Sequence, residues 1–280
     1  MKILIFGQGY IAYKFKDFFG DEAEISAVRI EDYSVVKAEL ESKRPLVVVN
    51  CAGKTGRPNV DWCEDHKMET LYSNVVAPII LARACEALEL YMVHIGSGCV
   101  YEGYNEGKGW SEGDAPNFFC SFYSRTKAWS ETMLKEFPVL QLRLRMPFDS
   151  VPGERNFITK ITKYAKVISV PNSISVLDDF LMAAKVLIEK RATGIYNVTN
   201  PGVITHQEIL DIYREVVDPN YHYELFSLED LAKVTKAGRS NCGLSVEKLE
   251  REGIHLRPVA QAVRASLLEY SKHLKSGAAV

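Results

Sequence analysis

No apolar run in this chain approaches the roughly 18 residues that a bilayer-spanning helix needs. Charge of one sign is not in excess either: 34 Lys and Arg stand against 36 Asp and Glu, a net charge of −2. That balance gives no electrostatic case for nucleic acid or an anionic membrane as partner. The six cysteines (Cys51, Cys63, Cys85, Cys99, Cys120 and Cys242) are scattered, with no C-x-x-C pair and no histidine at zinc-finger spacing. Reduced thiols in a cytoplasmic protein are expected, with neither disulfides nor a metal site. Repeats and low-complexity tracts are missing, and only residues 276–280 read as a frayed tail. The N-terminus enters an apolar strand at once, too short a run and too poor a cleavage site for a signal peptide.

What is present is a 280-residue chain, 47% hydrophobic, long enough for one large domain or two modest ones. Short runs rich in Val, Ile and Leu at 2–6, 25–28, 46–50, 91–95 and 140–145 read as strands. Their near-continuous apolarity suits parallel strands covered on both faces. Amphipathic stretches at 34–42, 67–88 and 121–136 alternate with them, predicting a Rossmann-type doubly wound α/β sheet. After Pro147 the segments shorten: helices are expected at 157–164, 177–190, 206–216 (N-capped by Thr205) and 258–270, with one strand at 195–198. The expected division is a dinucleotide-binding domain over 1–149 and a smaller mixed substrate lobe over 150–280, from which 175–200 could return to the main sheet.

The first strand ends in Gly7-Gln8-Gly9-Tyr10-Ile11-Ala12, a G-x-G-x-x-A variant of the dinucleotide fingerprint. Gly7 permits the tight turn, Gly9 lets a pyrophosphate approach, and Tyr10 and Ile11 open the helix whose N-terminus faces it. Ala12 lets helix and strand pack closely. The other reading is a glycine-rich turn without a ligand. Arg29, 20 residues after Gly9, suits a 2′-phosphate and favours NADPH, with NADH as the alternative because Asp32 could reach a ribose. Cys51, Ala52 and Gly53 end the third strand with side chains small enough to leave room for a nucleotide.

Tyr123 and Lys127 are four residues apart in an expected helix, so both lie on one face. An ammonium beside a phenol would lower its pKa and make it a proton donor and acceptor near working pH. A bare Y-x-x-x-K is common by chance. Ser97, just past the fourth strand, lies where open α/β sheets bind ligands. Ser97, Tyr123 and Lys127 behind a dinucleotide turn resemble the Ser/Thr-Tyr-Lys triad of the extended short-chain dehydrogenase/reductases. In that family the tyrosine moves the proton of the carbonyl or alcohol, the lysine holds the nicotinamide ribose, and the Ser or Thr bonds the oxygen.

A narrower resemblance covers nearly the whole chain. Gly53-Lys54-Thr55-Gly56-Arg57-Pro58-Asn59-Val60-Asp61-Trp62-Cys63-Glu64, Pro116-Asn117-Phe118, Arg155-Asn156-Phe157-Ile158-Thr159-Lys160 and Thr199-Asn200-Pro201-Gly202-Val203 are similar to segments of the plant and viral nucleotide-rhamnose synthase/epimerase-reductases. The resemblance implies 3,5-epimerisation and then 4-reduction of UDP-4-keto-6-deoxyglucose, or its dTDP analogue, with a separate 4,6-dehydratase supplying the substrate. It implies Cys99 and Lys160 as epimerisation acid and base, and a homodimer as a frequent assembly in the superfamily. Asn59, Asp61, Asn156 and Arg239 become substrate-binding candidates, with Arg57 and Asn74 as weaker ones. His94 is read as a core histidine. The chain departs from the pattern in a glycine loop one residue short, and in Gly98 where simple dTDP-sugar reductases commonly carry Asp. Two alternatives stand beside this reading: a reductase without epimerase activity, and a non-catalytic NADP(H)-sensing regulator.

Overall fold

The computed structural model describes residues 2–276, so all but the first residue of the expected tail lies outside them. The chain opens with β1 (Ile3–Phe6), α1 (Tyr10–Phe19), β2 (Ala23–Ile25), α2 (Tyr33–Lys43) and β3 (Val47–Asn50). The stretch that reads as one helix over 67–88 is divided, with a short α3 (Trp62–Asp65) before it. It comprises α4 (Lys67–Leu71), a π turn over Tyr72–Val76 and α5 (Ala77–Ala87). Pro78 supplies a reason: it has no N–H to return to the Asn74 carbonyl, and the wider turn absorbs the missing bond.

Then follow β4 (Tyr91–Ser97), α6 (Phe122–Leu134), β5 (Val139–Leu144), α7 (Phe157–Ile161), β6 (Lys166–Val167) and β7 (Asn172–Ile174). The chain continues through α8 (Leu177–Glu189), β8 (Gly194–Asn197), β9 (Asn200–Ile204), α9 (His206–Val216), β10 (Glu224–Leu225), α10 (Leu228–Val234), α11 (Glu247–Arg251) and α12 (Val259–Lys275).

Six strands form one parallel sheet in the order β2-β1-β3-β4-β5-β8. The strand expected at 25–28 is instead the short edge strand β2 over Ala23–Ile25; just past it the Ser26 hydroxyl donates to the Glu39 carboxylate at 2.8 Å. Strand order reverses at β1, so the crevice between the carboxyl ends of β1 and β3 is the topological switch point, where such sheets bind ligands. Alternate residues cover the two faces. Ile3, Ile5, Val47, Val49, Leu140 and Leu142 pack with Phe15 of α1 and Phe180 of α8. Leu4, Phe6, Val48 and Met92 pack with Val36 of α2 and Leu81 of α5. Burial on both faces explains the unbroken apolar runs. Residues 177–197 thus belong with this sheet, while a second core joins Phe148, Ile158 and Ile174 to Leu210 of α9 and Leu267 of α12.

The small β7/β9 and β6/β10 pairs brace that second core; nothing in their composition distinguishes them from loops. No helix among the described residues is long and apolar enough to cross a membrane. Helix α8 offers a direct test of the packing. Phe180 is 1% exposed and meets Phe15 edge to face, whereas Met182 is 55% exposed. Phe180→Ala should cost about 3–5 kcal/mol in chemical denaturation and Met182→Ala less than about 0.5 kcal/mol.

Candidate active site

The glycine loop lies against the end of β3. Gly7 has φ +109°, and a Cβ there would stand 2.7 Å from the Ala52 nitrogen and 2.8 Å from the Cys51 carbonyl carbon. A side chain at 7 would therefore separate the two loops that border the switch point. Above Gly9 there is open space within 4 Å, and no side chain caps the N-terminus of α1. Those free N–H groups and the bare surface suit a pyrophosphate. Arg29 is exposed and paired with Glu31 at 3.0 Å. Asp32, weighed as a ribose contact, instead caps α2 through the N–H groups of Ser34 and Val35.

Ser121 begins α6, its hydroxyl accepting from the Ser124 N–H at 3.0 Å. Glu64 accepts from the next free donor, the Phe122 N–H, at 2.5 Å. These caps aim the helix so that Tyr123 and Lys127 face the end of β4. Lys127, 7% exposed, donates to the Ile95 carbonyl at 2.9 Å. Burial brings its pKa down to about 8, with Glu131 one turn on acting against the fall. Glu131 in turn holds the buried Arg143 through two bonds of 2.6 Å.

The ammonium was expected to depress Tyr123, and here the structure corrects the sequence. Burial and then the neighbouring Cys99 push the phenol well above its usual range; a hydrogen bond with Ser97 and the charge of Arg145 act against the rise. Tyr123 is thereby kept protonated, the state of a donor. Ser97 also accepts from the Cys99 N–H at 3.2 Å, so hydroxyl, phenol and thiol converge past β4.

Asn74 in the π turn ties this centre to the β3 loop. Its amide oxygen accepts from the Lys54 N–H at 2.7 Å, while its nitrogen donates to the Lys54 carbonyl at 3.0 Å and to Thr126 at 3.1 Å. His94 is buried against Asn50 at 3.2 Å and, through burial and the nearby Lys127, is held neutral.

The remaining candidates separate. Asn59, Asp61 and Arg239 come together from distant segments: Arg239 meets both Asp61 oxygens at 2.8 and 3.0 Å and Asn59 at 3.4 Å. Burial works to raise the Asp61 pKa, but Arg239 and the Ala237 N–H outweigh it and hold it below the usual range. Asn156 is fully buried instead. It caps α7 and donates to the Asp149 and Val151 carbonyls at 2.8 and 2.9 Å, so its amide holds the 149–156 loop and has nothing left for a ligand. Lys160 donates to the Pro58 carbonyl at 3.3 Å. Burial and then Arg155 lower its pKa.

The residue at Cys99 that sequence reasoning missed is Arg145, whose Nη1 lies 2.9 Å from the sulfur. Its one sequence signal was a second arginine, two residues after Arg143, at the end of a strand that is mostly apolar.

Every residue of this constellation falls within a match to the RmlD substrate-binding domain family over residues 1–272. The chain belongs to that family. It is 44% identical over 250 residues to an Arabidopsis thaliana bifunctional dTDP-4-dehydrorhamnose 3,5-epimerase/reductase, covering 86% of this chain and 81% of that one. It is 42% identical over 283 residues to an Arabidopsis trifunctional UDP-glucose 4,6-dehydratase/3,5-epimerase/reductase, covering 97% of this chain but only 42% of that protein's length. Among solved structures, the UDP-rhamnose synthase of Acanthamoeba polyphaga mimivirus superposes with a TM-score of 0.92 at 32% identity, over 96% of this chain and 99% of that one.

Glu131→Gln tests the buried pair on which Lys127 rests. It leaves the Arg143 guanidinium without its counter-charge, and should cost about 3–5 kcal/mol in denaturant titrations at pH 7.

Proposed function

We propose that the chain is an NADPH-dependent nucleotide-sugar enzyme. On this reading it epimerises UDP-4-keto-6-deoxyglucose at C3 and C5 and then reduces C4, giving UDP-β-L-rhamnose. The observation that carries the reading is the convergence of the buried Ser97 and Tyr123 with the partly exposed Cys99 past the end of β4. The names of the relatives support the substrate class, and their rhamnose chemistry supports both steps.

The cradle formed by Gly7, Gly9, Ala52 and the start of α1 fits a dinucleotide, and NADPH would supply the hydride for C4. Lys127, held under the sheet edge, would meet its ribose, and Arg29 its 2′-phosphate. Tyr123 gives its phenolic proton to the C4 oxygen as the hydride arrives, and Ser97 fixes that oxygen by a hydrogen bond.

In the epimerisation Cys99 takes a proton from carbon next to the ketone. The C–H electron pair moves into the ring and the C4 oxygen becomes an enolate, stabilised by Ser97 and Tyr123. Lys160 returns a proton from the opposite face, its lowered pKa making it both a ready donor and a ready acceptor. Asp61 and Arg239, paired with each other, would contact the nucleotide sugar. The dehydration that makes the 4-keto sugar is assigned to a separate 4,6-dehydratase.

A plain reductase is the rival, and it differs in one measurement. Incubated with UDP-4-keto-6-deoxyglucose in D₂O without NADPH, the enzyme should place deuterium at C3 and C5, and Cys99→Ser should abolish that exchange. An unlabelled sugar in the wild-type reaction would leave the reductase reading alone. Tyr123→Phe should lower NADPH oxidation by about 10²–10⁴-fold; an unchanged rate would favour the non-catalytic regulator.

A pH profile of NADPH oxidation should fall above about pH 8, where Lys127 loses the charge that burial has already made costly. A flat profile through pH 9 would contradict that role for Lys127.

A further inference from the structure

Two arginines stand two residues apart on the strand-end segment 143–145, and both are fully buried. They are compensated differently. Arg143 has a carboxylate, held by two bonds to Glu131. Arg145 has none among its hydrogen-bond partners. Its Nη2 donates to the Asn172 side chain and to the Ser240 carbonyl, its Nη1 donates to Cys99 Sγ at 2.9 Å, and its Nε has no partner. A buried guanidinium surrounded only by neutral groups is strongly unfavourable, so an anion is called for nearby.

Three acidic groups face it: Tyr123, Cys242 and Cys99. Burial holds the Tyr123 phenol protonated. The Cys242 thiol is committed as a donor to the Gly98 carbonyl at 3.4 Å, and burial raises its pKa. His206, also near Arg145, is driven neutral by burial and supplies no negative charge. Cys99 remains, and it alone receives a guanidinium N–H on its sulfur.

We infer that Arg145 is the positioning residue of the epimerase step, holding Cys99 as a thiolate aimed at the substrate carbon. The inference rests on the epimerase reading above and names the cation that makes its base. Lys160, whose ammonium donates one bond to the Pro58 carbonyl and keeps two further N–H groups, is then free of that duty and available as the acid on the other face. The proton Cys99 has lost goes to solvent before substrate binds. When Cys99 takes up a proton from carbon, the negative charge passes from sulfur to the C4 oxygen, and Arg145 becomes uncompensated until the thiolate reforms. A thiolate beside Tyr123 also keeps that phenol protonated until the reduction needs its proton.

The test uses the full chain without substrate first. Wild type should show ultraviolet thiolate absorbance at pH 7 that Cys99→Ser lacks, and iodoacetamide should label Cys99 rapidly, followed on its peptide by mass spectrometry. Arg145→Met should slow that labelling about 10-fold or more, the loss expected when an opposing charge within contact distance is removed. Arg145→Lys should restore part of the rate. Labelling of the exposed Cys120 and the melting temperature serve as controls for folding. Should neither variant fold, the wild-type absorbance difference decides, and its absence overturns the inference. Equal Cys99 labelling rates in folded wild type and Arg145→Met also overturn it.

Deuterium exchange into UDP-4-keto-6-deoxyglucose should fall in parallel with labelling. A wild type that keeps the thiolate signature but exchanges nothing would uphold the Arg145–Cys99 pairing and remove the epimerase assignment instead.

Discussion

Helix α6 carries Tyr123, Lys127 and Glu131 at four-residue intervals on a buried face, and the arrangement of the site follows from how their charges are compensated. Each buried ion costs several kcal/mol unless a partner meets it in good geometry. Lys127 meets the Ile95 carbonyl of β4, Glu131 meets Arg143 of β5, and Arg143 reaches Asn197 of β8 at 3.1 Å. Asn197 in turn donates to the Trp110 and Ser245 carbonyls, each at 2.9 Å. One line of polar contacts therefore fixes the carboxyl ends of three adjacent strands relative to α6. Tyr123 is placed by that line as much as by its own packing, because a helix that slid or rotated would strand a charge.

The parts of this that could be read in the sequence were those with short-range periodicity. The apolar runs from Ile3 to Phe6 and from Val47 to Asn50 announced buried parallel strands, and the four-residue step from Tyr123 to Lys127 announced a shared helix face. Gly7 and Gly9 marked the turn between strand and helix, and the contact of Gly7 with Ala52 gives that signal its physical reason. Where local pattern and local chemistry disagreed, the chemistry of single atoms decided. The missing N–H of Pro78 accompanies the break in the stretch that looked like one helix. Asn156 looked like a ligand contact in a motif and is in fact the capping residue that the short helix after it requires.

The charge environment of Cys99 was not legible, because it is assembled from segments far apart in the chain. Arg145 finds Asn172 27 residues on and the Ser240 carbonyl 95 residues on. No spacing rule connects such partners; only the packing of β7 and of the 240–242 segment against the end of β5 brings them together. The same holds for Asp61 and Arg239, 178 residues apart, which join the loop after β3 to the C-terminal segment. The sequence could locate the sulfur but not the cation beside it.

That difference bears on how, under the proposed function, one pocket would run two reactions. Reduction needs a phenol that stays protonated until hydride arrives, whereas epimerisation needs a base that is already deprotonated. If both were tuned by one cation, each would be drawn toward the same state. The structure separates the influences: Lys127 is turned to the Ile95 carbonyl of β4, and Arg145, just past β5, bonds the sulfur. Tyr123, between them, is raised by burial and by Cys99 beyond what Arg145 offsets. Arg143 in β5 and Arg145 just past it are thus compensated differently. Arg143 is neutralised by Glu131, while Arg145 has no carboxylate among its hydrogen-bond partners and donates to the Cys99 sulfur, the contact on which the proposed positioning role rests.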